Sequence, residues 1–92
     1  MSEGKFTIRK LRRVPKVVVR EEENCYLLIN RTSGKVLVIN KIGFEIWHLL
    51  ENLTVEDIVK ELTRKYQIAP ASCKEQVEKF VEKLLRNSFL TL

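Results

Sequence analysis

Apolar positions along the chain change their spacing at Asn40. Before it they follow the two-residue period of a pleated strand, and after it the 3.6-residue period of a helix. Val17–Val19 is β-branched throughout, follows Pro15 and predicts a first strand. Glu21–Asn24 supplies a polar turn, and Cys25–Ile29 predicts a second strand. Arg31–Gly34 reads as a hairpin loop in which Gly34 can take positive φ. The third strand, Val36–Ile39, is apolar at four successive positions, although a strand with one covered face needs an apolar residue only at every second one. Either the arm, the C-terminal tail or a second copy of the chain covers the surplus, or a partner uses it. The pattern yields no fourth strand, so the antiparallel meander has open outer edges.

Three helices follow. Asn40 is placed to cap a first helix running through Leu50, with Ile42, Ile46, Leu49 and Leu50 on one face. Phe44 and Trp47 widen its apolar arc to roughly 220°, so this helix belongs at the centre, with Gly43 allowing close approach. Thr54 caps a second helix, with Asp57 three residues on, and Val55, Ile58, Val59, Leu62 and Tyr66 form a stripe of about 100°. Ser72 and Glu75 have the S-x-x-E spacing of a capping box, which predicts a third helix from there to about Asn87. Its residues Cys73, Val77, Phe80, Val81, Leu84 and Leu85 span about 140°, more than one packing seam needs. The tail from Phe89 to Leu92 is expected to fold back onto the core.

The chain has 92 residues, 45% of them apolar and 32% charged, which suits one folded domain with a thin core. No window is long and apolar enough for a membrane span or signal peptide, so a cytoplasmic location is expected. The two cysteines, Cys25 and Cys73, make no C-x-x-C pair and read as buried thiols. The net charge of +5 is localised: residues 1–20 hold seven basic residues against Glu3, whereas the remainder holds ten basic and eleven acidic ones. Residues 1–13 therefore read as a basic arm, either solvated or binding phosphate or an acidic partner, and the pattern of Phe6, Ile8 and Leu11 leaves open that it adds an edge strand.

Catalytic chemistry has little support. The three glycines form no phosphate loop, and His48, the one histidine, falls on the polar side of the first helix with no nucleophile beside it. Glu75 before Lys79 and Glu82 before Arg86 have the spacing of surface ion pairs. No cofactor and no metal is expected.

The succession of strands and helices, with "VINKIGFEIWHLL", the link "ENLT", "VEDIVKELTRKY" and the closing "VEKFVEKLLRNSFL", resembles the PqqD-like family, the RiPP recognition elements, over residues 14–92. The resemblance implies an α+β, winged-helix-like domain: a three-stranded antiparallel sheet followed by three helices. It also implies a non-catalytic protein that binds the leader of a ribosomally made precursor peptide and presents it to a modifying enzyme, such as a radical SAM enzyme or a leader peptidase. In such domains the leader adds a strand beside the third strand and lies next to the third helix. Carried onto this chain, the contacts are Val36, Leu37 and Val38, with Val77, Phe80, Val81 and Leu84 opposite. Lys79 and Lys83 are placed to meet acidic leader side chains. The wheel leaves open which flank of the helix faces the cleft. Similar sequences often carry Gly where the first and third helices end. Here Asn52 and Asn87 stand there, and Asn tolerates the left-handed conformation such ends use. The alternative is a DNA-binding winged helix, but its recognition helix should be basic, whereas this one mixes Lys74, Lys79, Lys83 and Arg86 with Glu75, Glu78 and Glu82.

Overall fold

The computed structural model describes residues 11–91. Phe6 and Ile8 of the arm and Leu92 of the tail lie outside the described residues. The elements are β1 (Arg12–Arg13), β2 (Val17–Glu21), β3 (Tyr26–Asn30), β4 (Val36–Ile39), α1 (Lys41–Leu49), α2 (Val55–Tyr66), α3 (Pro70–Arg86) and β5 (Leu90–Thr91). Strands β2–β4 are the three read from the period-two pattern. They form an antiparallel sheet in the order β2-β3-β4, with Val19 opposite Leu28 and Leu28 opposite Leu37. The α+β architecture of three antiparallel strands followed by three helices is therefore as expected.

Alternation along these strands sends Val19, Leu28, Leu37 and Ile39 toward the helices, where Leu28 is fully buried and Ile39 nearly so. Gly34, with φ of 81°, lets the β3–β4 loop close. Asn40 then caps α1 as anticipated, its Oδ1 accepting from the Gly43 N–H at 2.8 Å. The wide apolar arc of α1 is used on several sides. Ile46 and Trp47 enter the core, while Phe44 stacks flat on Tyr26 of the sheet at 4.0 Å between centroids. Thr54 Oγ1 accepts from the Asp57 N–H at 3.2 Å at the start of α2, and Gln67 in the left-handed region closes its end.

The third helix ends at Arg86, with Asn87 as its cap, as expected, but its start departs from the expectation. It starts at Pro70, not at the Ser72–Glu75 box, because proline at the first helical position has its φ already set and lacks only an N–H that would have no intrahelical partner. Ser72 and Glu75 are left on its exposed surface. Neither Asn52 nor Asn87 is left-handed; that role falls to Ser88, with φ of 69°. The Phe89 N–H reaches the Leu84 carbonyl at 2.8 Å and the Ser88 N–H the Leu85 carbonyl at 3.2 Å, the paired bonds of a Schellman end. Asn87 supports this turn from its side chain, donating to the Lys83 carbonyl at 2.8 Å.

This turn aims the tail inward. Phe89 is fully buried and Leu90 is 4% exposed, so the tail does fold onto the core. It also makes a second sheet that the pattern did not predict: β5 pairs antiparallel with β1, Arg12 opposite Thr91 and Arg13 opposite Leu90. Leu11, counted with the arm in the sequence, is 2% exposed and belongs to the core, as the last three arm residues, Leu11–Arg13, belong to the folded body. The Arg13 guanidinium lies 5.1 Å above the Trp47 ring and 3.2 Å from the Glu51 carboxylate.

One buried polar side chain ties the sheet to this ribbon. Asn30, 2% exposed, donates from Nδ2 to the Ser88 carbonyl at 2.8 Å, while its Oδ1 accepts from the Thr32 and Ser33 N–H groups at 2.9 and 3.1 Å. A single amide thus closes the β3–β4 loop and holds the end of α3 against it.

Candidate functional site

The ladder bonds decide which groups of β4 are free. The Asn30 N–H donates to the Lys35 carbonyl at 2.9 Å, so the Asn30–Lys35 pair is hydrogen-bonded, and with it every second pair along the register, Leu28–Leu37 and Tyr26–Ile39. On the other side of β3 the Glu22 N–H bonds the Cys25 carbonyl and the Arg31 N–H the Lys16 carbonyl, which assigns the Leu27 and Ile29 backbone to β2. By the same alternation the N–H and C=O groups of Val36 and Val38 point away from β3, to the outer edge of the sheet. Among the described residues no strand pairs with that edge.

The same two residues carry exposed side chains. Val36 is 54% and Val38 59% exposed, and each forgoes roughly 1 kcal/mol of burial. The surplus apolar positions of the third strand are thus covered by neither arm strand β1 nor tail strand β5, which pair with each other. Leu37 points inward beneath the edge and is half-buried.

At the C-terminal end of β4 the third helix arrives through Phe80. A Cβ placed on Gly43 would lie 3.1 Å from Phe80 Cζ and 3.2 Å from Ile39 Cβ, closer than ordinary contact, so the missing side chain lets α1, α3 and the end of β4 meet without either neighbour giving way. Phe80 is half-buried there. Gln76, Phe80, Lys83 and Asn87 lie about one turn apart on one line of α3, and Phe80 of that line reaches the strand end. Lys83 and Lys79 are exposed, Lys79 standing 3.6 Å from Glu75 as its spacing suggested. Val77, Val81 and Leu84 turn the other way, each 1% exposed or less. They form the floor under the helix, and Val36, Leu37, Val38, Phe80, Lys79 and Lys83 are the members of the anticipated set with accessible surface. Ile39 and Gly43, which shape the strand end, were not in that set, although the small residue three positions after Asn40 was its signal.

The sequence matches the family described as Coenzyme PQQ synthesis protein D (PqqD) over residues 25–90. The chain belongs to the PqqD family. No curated protein matches it. Among solved structures, it resembles "Lasso peptide synthetase B1 complexed with the leader peptide" with a TM-score of 0.79 and 19% identity, over 90% of this chain and 99% of that one. It also resembles "TbiB1 in Complex with the TbiA(beta) Leader Peptide", with a TM-score of 0.76 and 21% identity over 86% and 93% of the two chains. These likenesses establish a common fold.

Elsewhere this PqqD-family chain offers little chemistry. Among the described residues no group of His, Cys, Asp and Glu is placed to hold a metal ion, and no helix is long and apolar enough to cross a membrane. Cys73 is buried beside the Val59 carbonyl, and Cys25 is half-buried; both are free thiols. His48 is exposed, edge-on to Phe44 at 4.4 Å between ring centroids. The tightest polar cluster joins α1 to α2: Lys65 Nζ and Tyr66 OH each donate to Glu45 at 2.7 Å. Burial opposes ionisation of Glu45, but the bonds from Lys65 and Tyr66 outweigh it and hold its carboxyl below the ordinary range. The shared bond raises the Tyr66 phenol and the Lys65 ammonium. The arrangement is a clamp between α1 and α2.

Proposed function

We propose that this chain is a non-catalytic carrier that captures the leader of a ribosomally made precursor peptide as an added strand along β4, and presents it to a peptide-modifying enzyme in the cytoplasm. The observation that carries the proposal is the outer edge of β4, where the backbone groups of Val36 and Val38 face outward beside exposed apolar side chains. A strand laid there gains up to four main-chain hydrogen bonds, about 4 kcal/mol at a net value near 1 each. A micromolar complex requires about 8 kcal/mol, so apolar contacts with Leu37 and Phe80 must supply the remainder. Lys79 and Lys83 stand where acidic leader residues would pass. Membership of the PqqD family and the fold shared with two proteins solved with leader peptides support the reading. The exposed face of α3 mixes Lys79 and Lys83 with Glu75 and Glu82, which does not favour duplex DNA.

The test is a titration of the isotope-labelled protein with the leader of the precursor encoded alongside it. Amide shifts are expected at residues 35–39 and along the Gln76–Lys83 line of α3. Shifts confined to residues 1–10, or none, would overturn the reading. Phe80→Ala should weaken leader binding more than Lys60→Ala on the exposed side of α2.

A further inference from the structure

A strand added to β4 meets both faces of the sheet, and the two exposed valines of that edge belong to the face the helices do not cover. In register, Val36 continues the row of Val18 and Ile29 across the strands, and Val38 the row of Arg20 and Leu27, all on the side away from the helices. Leu27 and Ile29 lie on this bare face and are still half-buried, each with a cross-strand neighbour on either side. Val36 and Val38 have a neighbour on one side only and stand 54% and 59% exposed. The uncovered flank of each valine is where a guest residue would lie.

The other border of the sheet is built differently. There the same two rows end on Val18 and on Arg20, which is held 2.9 Å from Glu22. The chain enters that border through Pro15 and a left-handed Lys16, with φ of 65°. Charge and proline are usual means of blunting an edge. At β4 both rows end on a β-branched apolar residue.

Guest side chains alternate between the two faces whichever way the guest runs. One guest residue faces inward beside Leu37, on the side of the helices, and its two neighbours face outward beside Val36 and Val38. Cross-strand pairs of β-branched and other apolar residues stabilise a sheet, whereas a charged residue opposite valine forgoes that contact. We infer that Val36 and Val38 are specificity-determining residues for the leader, selecting apolar, preferably β-branched, side chains at its two outward positions. The captured segment is then a run of at least three successive apolar residues. A peptide that is apolar only at alternate positions would satisfy the backbone and the inner face but not the valines. The inference rests on capture of the leader at β4 and adds to it the sequence class of the segment captured.

The experiment is a positional scan of the leader encoded alongside this chain, made as synthetic peptides and titrated calorimetrically against the full chain. Each position is replaced by serine and, in a second series, N-methylated. Three adjacent positions should respond to serine, the outer two losing about three- to fivefold in affinity and the middle one about tenfold. Val36→Thr and Val38→Thr keep the branched shape and should each weaken the native leader about threefold. Each should also remove most of the loss that serine causes at the facing position, a coupling that a merely structural valine would not show. Val38→Lys should reverse the preference between isoleucine and glutamate at the position it faces. Sensitivity at every second position only, or serine losses equal in the wild type and the threonine variants, would overturn the role of the valines and leave strand addition standing. No binding of the native leader, or binding indifferent to N-methylation at every position, would overturn strand addition and the specificity assignment with it.

Discussion

The chain ends its β-structure in two opposite ways. At one place it brings its own terminal segments together: β1 and β5 pair with each other, and Leu11, Phe89 and Leu90 disappear into the core. At the other, β4 has the stronger strand sequence yet leaves its outer border unpaired among the described residues, with two valines in the open. Open edges invite unwanted pairing and are commonly blunted by charge, proline or cover. The difference between the closed and the open border can be probed from each side.

The largest effect is expected on the closed side. Phe89→Ala should cost about 4 kcal/mol in denaturant unfolding, a large share of what a domain of this size possesses. Asn30→Ala should cost about 2 kcal/mol, because it leaves the Ser88 carbonyl and two loop N–H groups without their partner. Amide exchange should then quicken together in the β3–β4 loop and in β5, although they are far apart in sequence.

On the open side the prediction inverts. Val38→Pro removes an N–H that serves no ladder bond, so stability should change little, while leader affinity falls about tenfold or more. Leu37→Pro, one residue away, removes a bond to β3 and should unfold the sheet. Equal loss of stability in the two variants would show that the edge assignment is wrong.

The smallest effect concerns the α1–α2 clamp, which belongs to neither border. Glu45 titrates lower in the folded than in the unfolded chain, so its contribution to stability is present above the unfolded value and is lost as pH falls through the folded one. The wild type should therefore lose its advantage over Glu45→Gln below about pH 4.5, measured by thermal unfolding.

The contrast also explains what could be read before the structure. The meander and the caps at Asn40 and Thr54 were legible because they rest on local periods and local hydrogen bonds. The β1–β5 ribbon was not: two residues set no period, and Arg12-Arg13 reads as solvated. The width of α3 looked like spare surface, and Val77, Val81 and Leu84 were placed against the peptide, whereas the core, with Phe89 and Leu90 folded into it, takes up that width. The start of α3 was misjudged because two competing signals, Pro70 and the Ser72–Glu75 box, lie two residues apart. The register, and hence the free groups of Val36 and Val38, could not come from sequence, because hydrogen-bond parity depends on the turn that joins the strands.

Trp47, the single tryptophan, is 2% exposed and roofed by Arg13 at 5.1 Å. Its fluorescence is consequently a native gauge of whether the N-terminal segment is seated, shifting to the red if that segment detaches. It lets release of the ribbon be followed optically, without a label, while events at β4 are followed by other means.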